Sequence, residues 1–408
     1  MDKERIYLSE RIIWYLTIFL IAAFNIFDSS SAISLILFGT TLAILIVGAI
    51  HRHGKFPFFI DRYQLFVSFF GFFCLASSLW AWSSSLAIEK GITIFEILIC
   101  SSVLYYHYSK YDSIDLLISA IMWAGYVVAG YAIVFYGLDS INEMIAKGAR
   151  LDNSFTNINS IAMVSGLAIV ITVYRIFCTE RRLSLYNIFM IPALVLIAAS
   201  GSRKAMVVVF VGVVVILMLK FEDENIIKTI FKWLIGAIIL IFLIKLLLML
   251  PMFDLVNARM KGLVALVTGN GIVDHSAWLR QQYIQVGLEQ FIKTPIFGIG
   301  MNNARFLIAQ AFGKETYLHN NYVELLVNGG VVGFIIYYSM YIYLMFSLLK
   351  RRKVDDKGTI ICIAMLIIFL ISDYGAVSYY SKSRYVYLAI FFLQDKILRR
   401  KCREYEYY

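Results

Sequence analysis

The sequence predicts an all-α, polytopic membrane protein with about twelve transmembrane helices. Three observations carry that expectation. Apolar residues make up 61% of the 408-residue chain and charged residues only 16%, whereas ordinary soluble domains are near half apolar and a quarter charged. Aromatics at 16% with only four prolines suit long helices with aromatic ends. A barrel would alternate polar and apolar residues in ~10-residue strands, and the sequence does not. Finally, apolar windows of ~20 residues recur along the whole chain.

The windows fall at 12–28, 32–50, 64–82, 89–106, 115–137, 158–178, 187–201, 204–220, 230–250, 328–349, 358–373 and 383–395. Lys3, Arg5 and Arg11 before the first run imitate a signal peptide, but the many later spans favour an uncleaved first helix. Alternate connections are basic: Arg52, Lys55 and Arg62; Lys110; Arg175, Arg181 and Arg182; Lys220, Lys228 and Lys232; Lys350 to Lys357; and Lys396 to Arg403. The positive-inside rule makes that face cytoplasmic and places both termini there. Trp14 and Trp233 near inner ends, and Trp80 and Trp82 near an outer end, agree with this map. The net charge of +10 is then mainly an anchor on acidic inner-leaflet lipids, and nucleic acid is not an expected partner. Cys74, Cys100, Cys178, Cys362 and Cys402 share no CxxC spacing and suggest neither disulfides nor zinc.

With no internal repeat, residues 1–408 read as one membrane domain carrying a large external loop, 251–318. In it "DHSAWLRQQYIQVGLEQFIKTP" predicts a helix. Asp274 or Ser276 suits the cap, Trp278, Ile284, Leu288 and Phe291 recur at helical spacing, and Pro295 ends it. "FGIGMNN" then turns on glycines before a second short helix near 302–312.

Charge inside apolar runs is costly and therefore informative. One helix over 187–220 would put Arg203 and Lys204 at its centre, so "AASGSRKAMVVV" predicts a hairpin turning at Ser200, Gly201 and Ser202. Both cations then lie near the outer surface, either snorkelling to headgroups or with Arg203 gripping a lipid phosphate. External Arg150 before "LDNSFTNINS" and Arg280 in the loop helix lie on the same face. His319 opens the tenth span, as a capping or interfacial histidine or as a general base. With an ordinary pKa near ~6.5, it is the outer-face group suited to taking a proton from a sugar hydroxyl at neutral pH. Glu96 and Lys245 are further charges within spans. Asp254, Asp274 and Glu289 lack metal-ligand spacing, and Gly298-x-Gly300 lacks the strand and third glycine of a dinucleotide loop. Neither metal nor cofactor is expected.

Taken together, "GSRKA" after a short span, an arginine-bearing loop helix ending in "TPIFGIGMNN", and "LHNNYVELLVNGGVVGF" resemble the O-antigen polymerase and O-antigen ligase superfamily. The resemblance covers residues 150–165 and 195–340. It implies a membrane glycosyltransferase of C-like fold that uses undecaprenyl-diphosphate-linked oligosaccharide, without metal, on the outer face of the cytoplasmic membrane. Arg203, Arg280 and His319 look like that family's two arginines and the histidine of its His-Asn motif, which implies catalytic roles for all three. Arg150 and Asn159 match a looser segment, and Lys204, Asn320 and Asn321 complete the implied substrate-binding set. A flippase and a chain-length regulator are the implied protein partners, beside membrane lipids. The arginine–glycine loop motif of some polymerases is absent, so polymerase (O-antigen, capsule or exopolysaccharide) and ligase (transfer to lipid A-core) both remain open. A lipid-linked sugar transporter is the alternative of another class, and it predicts repeats and more intramembrane charge.

Overall fold

A computed structural model describes residues 8–27, 32–51, 59–152, 156–179, 184–222, 228, 231–236, 238, 242, 245–246, 249–268 and 275–406. The described residues contain helices and no strand. In chain order the helices are α1 (Leu8–Ile26), α2 (Ala32–His51), α3 (Arg62–Ala76), α4 (Ser84–Tyr108), α5 (Asp115–Tyr136), α6 (Leu138–Ala146), α7 (Ile158–Cys178), α8 (Met190–Ser200), α9 (Arg203–Lys220), α10 (Asp254–Thr268), α11 (His275–Lys293), α12 (Ala304–Phe312), α13 (Asn321–Arg351), α14 (Asp356–Asp373) and α15 (Lys382–Glu406).

Six helices among the described residues, α1, α2, α3, α5, α7 and α13, are long and apolar enough to cross a membrane. The chain is a polytopic integral membrane protein. Other expected spans fall on helices that are short or more charged. α8 has 11 residues, α4 carries Glu89, Lys90 and Glu96, and α14 carries Asp356, Lys357 and Asp373. The expected span 230–250 is described only in part, and the cap candidate Asp274 and the cations Lys3, Arg5, Arg52, Lys55, Arg181 and Arg182 lie outside the described residues.

The chain divides into two compact units, residues 1–55, 113–267 and 355–368, and residues 56–112, 268–354 and 369–408. The boundary at 267/268 divides the expected external loop between them.

In the first unit α7 is central. It packs against α5, α8 and α9, and α5 packs against α1. Burial around most of its circumference explains why α7 is apolar on every face. At the α5–α7 crossing a Cβ on Gly125 would stand 2.6 Å from the Val164 carbonyl oxygen, the close small-residue approach by which membrane helices gain packing. Hydroxyls in this core bond back to their own helices, Ser165 to the Ile161 carbonyl at 2.8 Å and Thr172 to that of Ala168 at 2.9 Å.

The second unit is built on α3, α4, α13 and α15, with α11 against α13, and a buried aspartate ties each end of this bundle. At one end Asp395 is fully buried and accepts from Tyr343 at 2.8 Å, Arg399 Nε at 2.9 Å and Ser347. Beside it Asp61 caps α3 in a capping box closed by Gln64, and accepts from Arg399 Nη2 at 3.1 Å and Tyr105 at 2.9 Å. Burial alone would raise the Asp61 carboxyl; the Arg62 backbone N–H, the Tyr105 hydroxyl and the Arg399 guanidinium outweigh it and hold the group below its ordinary value. At the other end Asp373 accepts from Arg384 at 3.0 Å, Tyr338 at 3.0 Å and Ser378 at 2.7 Å.

α13 is broken. Gly330 has φ +62° inside it, and the interrupted ladder is mended by the "TPIFGIG" turn. Ile299 and Gly300 N–H donate to the carbonyls of Val327 and Asn328 at 3.0 and 2.9 Å, while Val331 and Val332 N–H donate to those of Pro295 and Ile296 at 2.8 and 3.1 Å. Non-helical backbone is tolerated at membrane depth only when its polar groups are satisfied in this way. The fit is tight on both sides: a Cβ on Gly330 would lie 2.2 Å from the Ile296 oxygen, and one on Gly298 2.4 Å from the Val327 oxygen.

Expected loop-helix boundaries match α11 and α12 closely, and Pro295 follows α11 as anticipated. The apolar stripe is used differently. α11 buries Ala277, Tyr283, Gly287 and Gln290, Ile284 and Phe291 pack at the edge of that core, and Trp278 and Leu288 stay exposed. Glu96 is exposed midway along α4, and Lys245 is exposed as well.

Gly330→Ala adds both a left-handed backbone strain and a clash, so thermal unfolding of the detergent-solubilised protein should show a loss of roughly 2 kcal/mol or more. An unchanged Tm would contradict the mended break. Asp61→Asn keeps a capping side chain but removes the charge, and should cost about 1.5–3 kcal/mol at pH 7. Because the folded-state value is lowered, this contribution is present above the ordinary carboxylate range and lost as pH falls through the lowered value. Variant and parent should therefore converge in acid.

Candidate functional site

The first unit supplies a turn crowded with arginines. α8 stops at Gly201, whose φ of +57° is the left-handed closure that glycine makes without a Cβ penalty. Ser202 caps α9 by accepting from Ala205 N at 3.4 Å, and its own N–H donates to Ser200 Oγ at 3.1 Å. Arg203 is therefore the first residue of α9, and the expected break between two helices is present. Such a break leaves carbonyls at the α8 C-terminus without helical partners. Guanidinium groups fill the vacancies: Arg150 Nε donates to the Ser200 carbonyl at 2.9 Å, and Arg259 Nη1 to that of Gly201 at 2.6 Å. Arg203 Nη1 returns the contact by donating to the Arg259 carbonyl at 3.1 Å. Arg150 Nη2 also donates to Asn159 Oδ1 at 2.9 Å, which unites two of the expected substrate-binding residues.

Three arginines on α10, α9 and the segment before α7 thus meet one turn. A carbonyl acceptor orients a guanidinium without cancelling its charge, so the cluster is suited to an anion with several oxygens. Lys204 follows on the same first turn and is half-buried. Arg259 was not singled out by its sequence, where "NARMKG" reads as an ordinary basic stretch. Its role appears only when α10 folds beside the α8 terminus.

In the second unit, the "LHNNYVE" segment places His319 with φ +58°, a left-handed backbone uncommon for residues other than glycine, though less so for asparagine, aspartate and histidine. Both neighbours are pinned. On one side Leu318 N–H donates to the buried Glu324 carboxylate at 2.8 Å, and Glu324 accepts from Asn328 Nδ2 at 3.1 Å. On the other Asn320 caps α13, accepting from Tyr322 N at 3.0 Å and Val323 N at 3.1 Å. Asn321 is fully buried with its amide saturated. Its oxygen accepts from Ser378 N at 2.8 Å and Tyr379 N at 3.0 Å, and its nitrogen donates to Tyr338 at 2.9 Å and Asp373 at 3.3 Å. The two asparagines are thus engaged in holding the segment that presents the histidine.

The half-buried imidazole lies near-parallel to the Tyr283 ring at 6.1 Å and tilted 4.2 Å from the Tyr317 ring. Tyr283 is on α11, three residues beyond Arg280, so both occupy one face of that helix. α11 is seated by its apolar contacts to Leu318, Val323 and Val327. The second unit therefore brings His319 to the side of α11 that carries Arg280. Glu324, Asp373 and Tyr283 were not anticipated from sequence. The signal available for the first two was an acidic residue within an apolar run, which must find donors.

Residues 188–338 match the family model described as O-antigen ligase. This stretch is thus similar to the O-antigen ligase family. It contains Arg203, Arg259, Arg280 and His319, and it runs through parts of both compact units. Arg150 and Asn159 precede the matched stretch, and Arg150 meets it through the Ser200 carbonyl. The search of curated proteins gave no match.

Asn321→Ala deletes four hydrogen bonds and leaves two backbone N–H groups and a buried carboxylate short of partners. It should lower stability by about 2–5 kcal/mol, readable as a large Tm drop in detergent. Asn320→Ala should lose only a cap, about 1 kcal/mol. Equal effects for the two would contradict this division of roles.

Proposed function

We propose that this protein transfers a glycan from an undecaprenyl-diphosphate donor to a sugar hydroxyl, acting as a polysaccharide polymerase for an O-antigen, capsule or exopolysaccharide. The observation that carries this reading is the family match, which encloses the two expected arginines and the histidine within one matched stretch. His319 takes the proton of the acceptor hydroxyl, and the freed oxygen attacks the anomeric carbon. The bond from that carbon to the diphosphate oxygen breaks with its electron pair, leaving undecaprenyl diphosphate. Arg203 and Arg280 neutralise the charge developing on the leaving group, with Arg150, Lys204 and Arg259 adding to the positive field. A single displacement inverts the anomeric centre, and no step calls on a metal. Arginine suits the task because its planar fork binds phosphate oxygens and stays charged.

In this reading the fold is glycosyltransferase C-like, with about twelve spans forming one functional domain. The protein lies in the cytoplasmic membrane with both termini inside, the site faces outward, and a flippase and chain-length regulator act beside it. Asn159 aids Arg150 in binding, and Asn320 and Asn321 serve the site by holding its loop. The family description itself favours a second reading, ligation of the finished glycan to lipid A-core. Purified protein given a lipid-diphosphate oligosaccharide without added metal should yield a ladder of products. Single transfer to a different acceptor would select the ligase, and absence of any transfer would sink both readings.

His319→Ala should reduce transfer by about 10²–10⁴-fold, the usual range for loss of a general base. Arg280→Lys should lose about 10²-fold although charge is kept, because the bidentate fork is gone. Polymer of ordinary length and yield from either variant would remove that residue from the mechanism.

A further inference from the structure

The first unit encloses a cavity of about 1000 Å³ at the end of α7 remote from the arginine turn. Arg175, in the last turn of α7, borders it; Asn159 lies sixteen residues earlier, about 24 Å along the helix axis. The cavity lies among the first turns of α1 and α5, the last turns of α7, and a 3-10 turn at Leu185–Phe189. Its size is at the upper end of that for small-molecule sites.

Its lining is amphipathic. Trp14, Trp123 and Tyr126 give it broad aromatic walls, while Arg11 and Arg175 supply two guanidinium groups. Asn187 also borders it, and its Nδ2 is buried with no acceptor among the described residues, an arrangement that is costly unless a ligand provides one. Glu10 reaches the rim, but its carboxylate is bonded to His51 Nε2 at 3.0 Å. Two guanidinium groups and an amide donor in the lining favour anionic oxygens, and the aromatic walls favour hydrocarbon beside them. The 3-10 turn exposes Leu185 and Ile188, 91% and 63% accessible, as expected of a segment lying in the bilayer interface. A lipid therefore has a lateral way in.

We propose that this cavity binds one anionic glycerophospholipid, its phosphate oxygens on Arg11, Arg175 and Asn187 and an acyl chain along the aromatic wall. Basic pockets between membrane helices recognise anionic headgroups in this manner. Loop charge places the cavity on the cytoplasmic side, so the lipid is drawn from the inner leaflet. Only that leaflet assignment rests on the proposed topology; the ligand class does not depend on glycan transfer.

Native mass spectrometry of the full chain, purified in detergent and titrated with phosphatidylglycerol, phosphatidylcholine or soluble glycerol phosphate, tests this. Phosphatidylglycerol should be retained on the wild-type protein, phosphatidylcholine at least about fivefold less, and glycerol phosphate should not displace the lipid. Arg11→Gln and Arg175→Gln, each checked for an unchanged gel-filtration profile, should each weaken retention about fivefold, the share of one arginine near an anionic headgroup. Should Arg175→Gln fail to fold, Arg11→Gln near the start of α1 decides alone. Equal retention of both lipids, or undiminished retention by a folded variant, overturns the proposal. Displacement by glycerol phosphate overturns it in favour of a free phosphate ligand. None of these readouts involves glycan transfer, so failure of the enzymatic reading leaves the result unchanged.

Discussion

Backbone hydrogen bonding is the constraint on which the second unit depends. A helix interrupted at membrane depth must have its orphan N–H and C=O groups answered by protein. At Gly330 four bonds from the "TPIFGIG" turn answer them. The turn that does so is also the chain leading out of α11, so the repair locks α11, with Arg280 and Tyr283, onto the helix whose first turn follows His319. The glycines look like flexibility in the sequence. In the fold they permit close approach and so produce a rigid joint.

Electrostatics divides the labour between the units. In the first, Arg150, Arg203 and Arg259 are oriented by backbone oxygens and an amide, contacts that set geometry while leaving positive potential in place. In the second, the buried acids Glu324 and Asp373 are surrounded by donors, and what they fix is the path of the chain on either side of the histidine. In the proposed function charge is bait in the first unit, whereas in the second it is mortar. Preorganised donors of the first kind need little reorganisation as negative charge develops.

Much of this was legible in the sequence. Apolar windows located the long helices, Gly201 and the adjacent charges located the break between α8 and α9, and Pro295 marked the end of α11. The sequence did not disclose contacts between distant segments. Arg259 lies 56 residues from Arg203, and Asp373 lies 52 from Asn321. Local spacing carries no trace of either meeting. The face of α11 was hidden for a related reason. Trp278 and Leu288 are its obvious apolar residues, yet Ala277 and Gly287 are buried in their place, because a helix seated close to a neighbour needs small side chains.

The backbone of His319 has an evolutionary implication of its own. Its left-handed conformation disfavours any residue with a Cβ by about 1–2 kcal/mol, so glycine would be the more comfortable occupant for folding alone. On the proposed general-base role, an imidazole there sets foldability against chemistry. A selection scoring only folded protein should drift toward glycine at position 319, whereas one scoring the proposed transfer activity should hold the ring, and that divergence would separate the two pressures at a single codon.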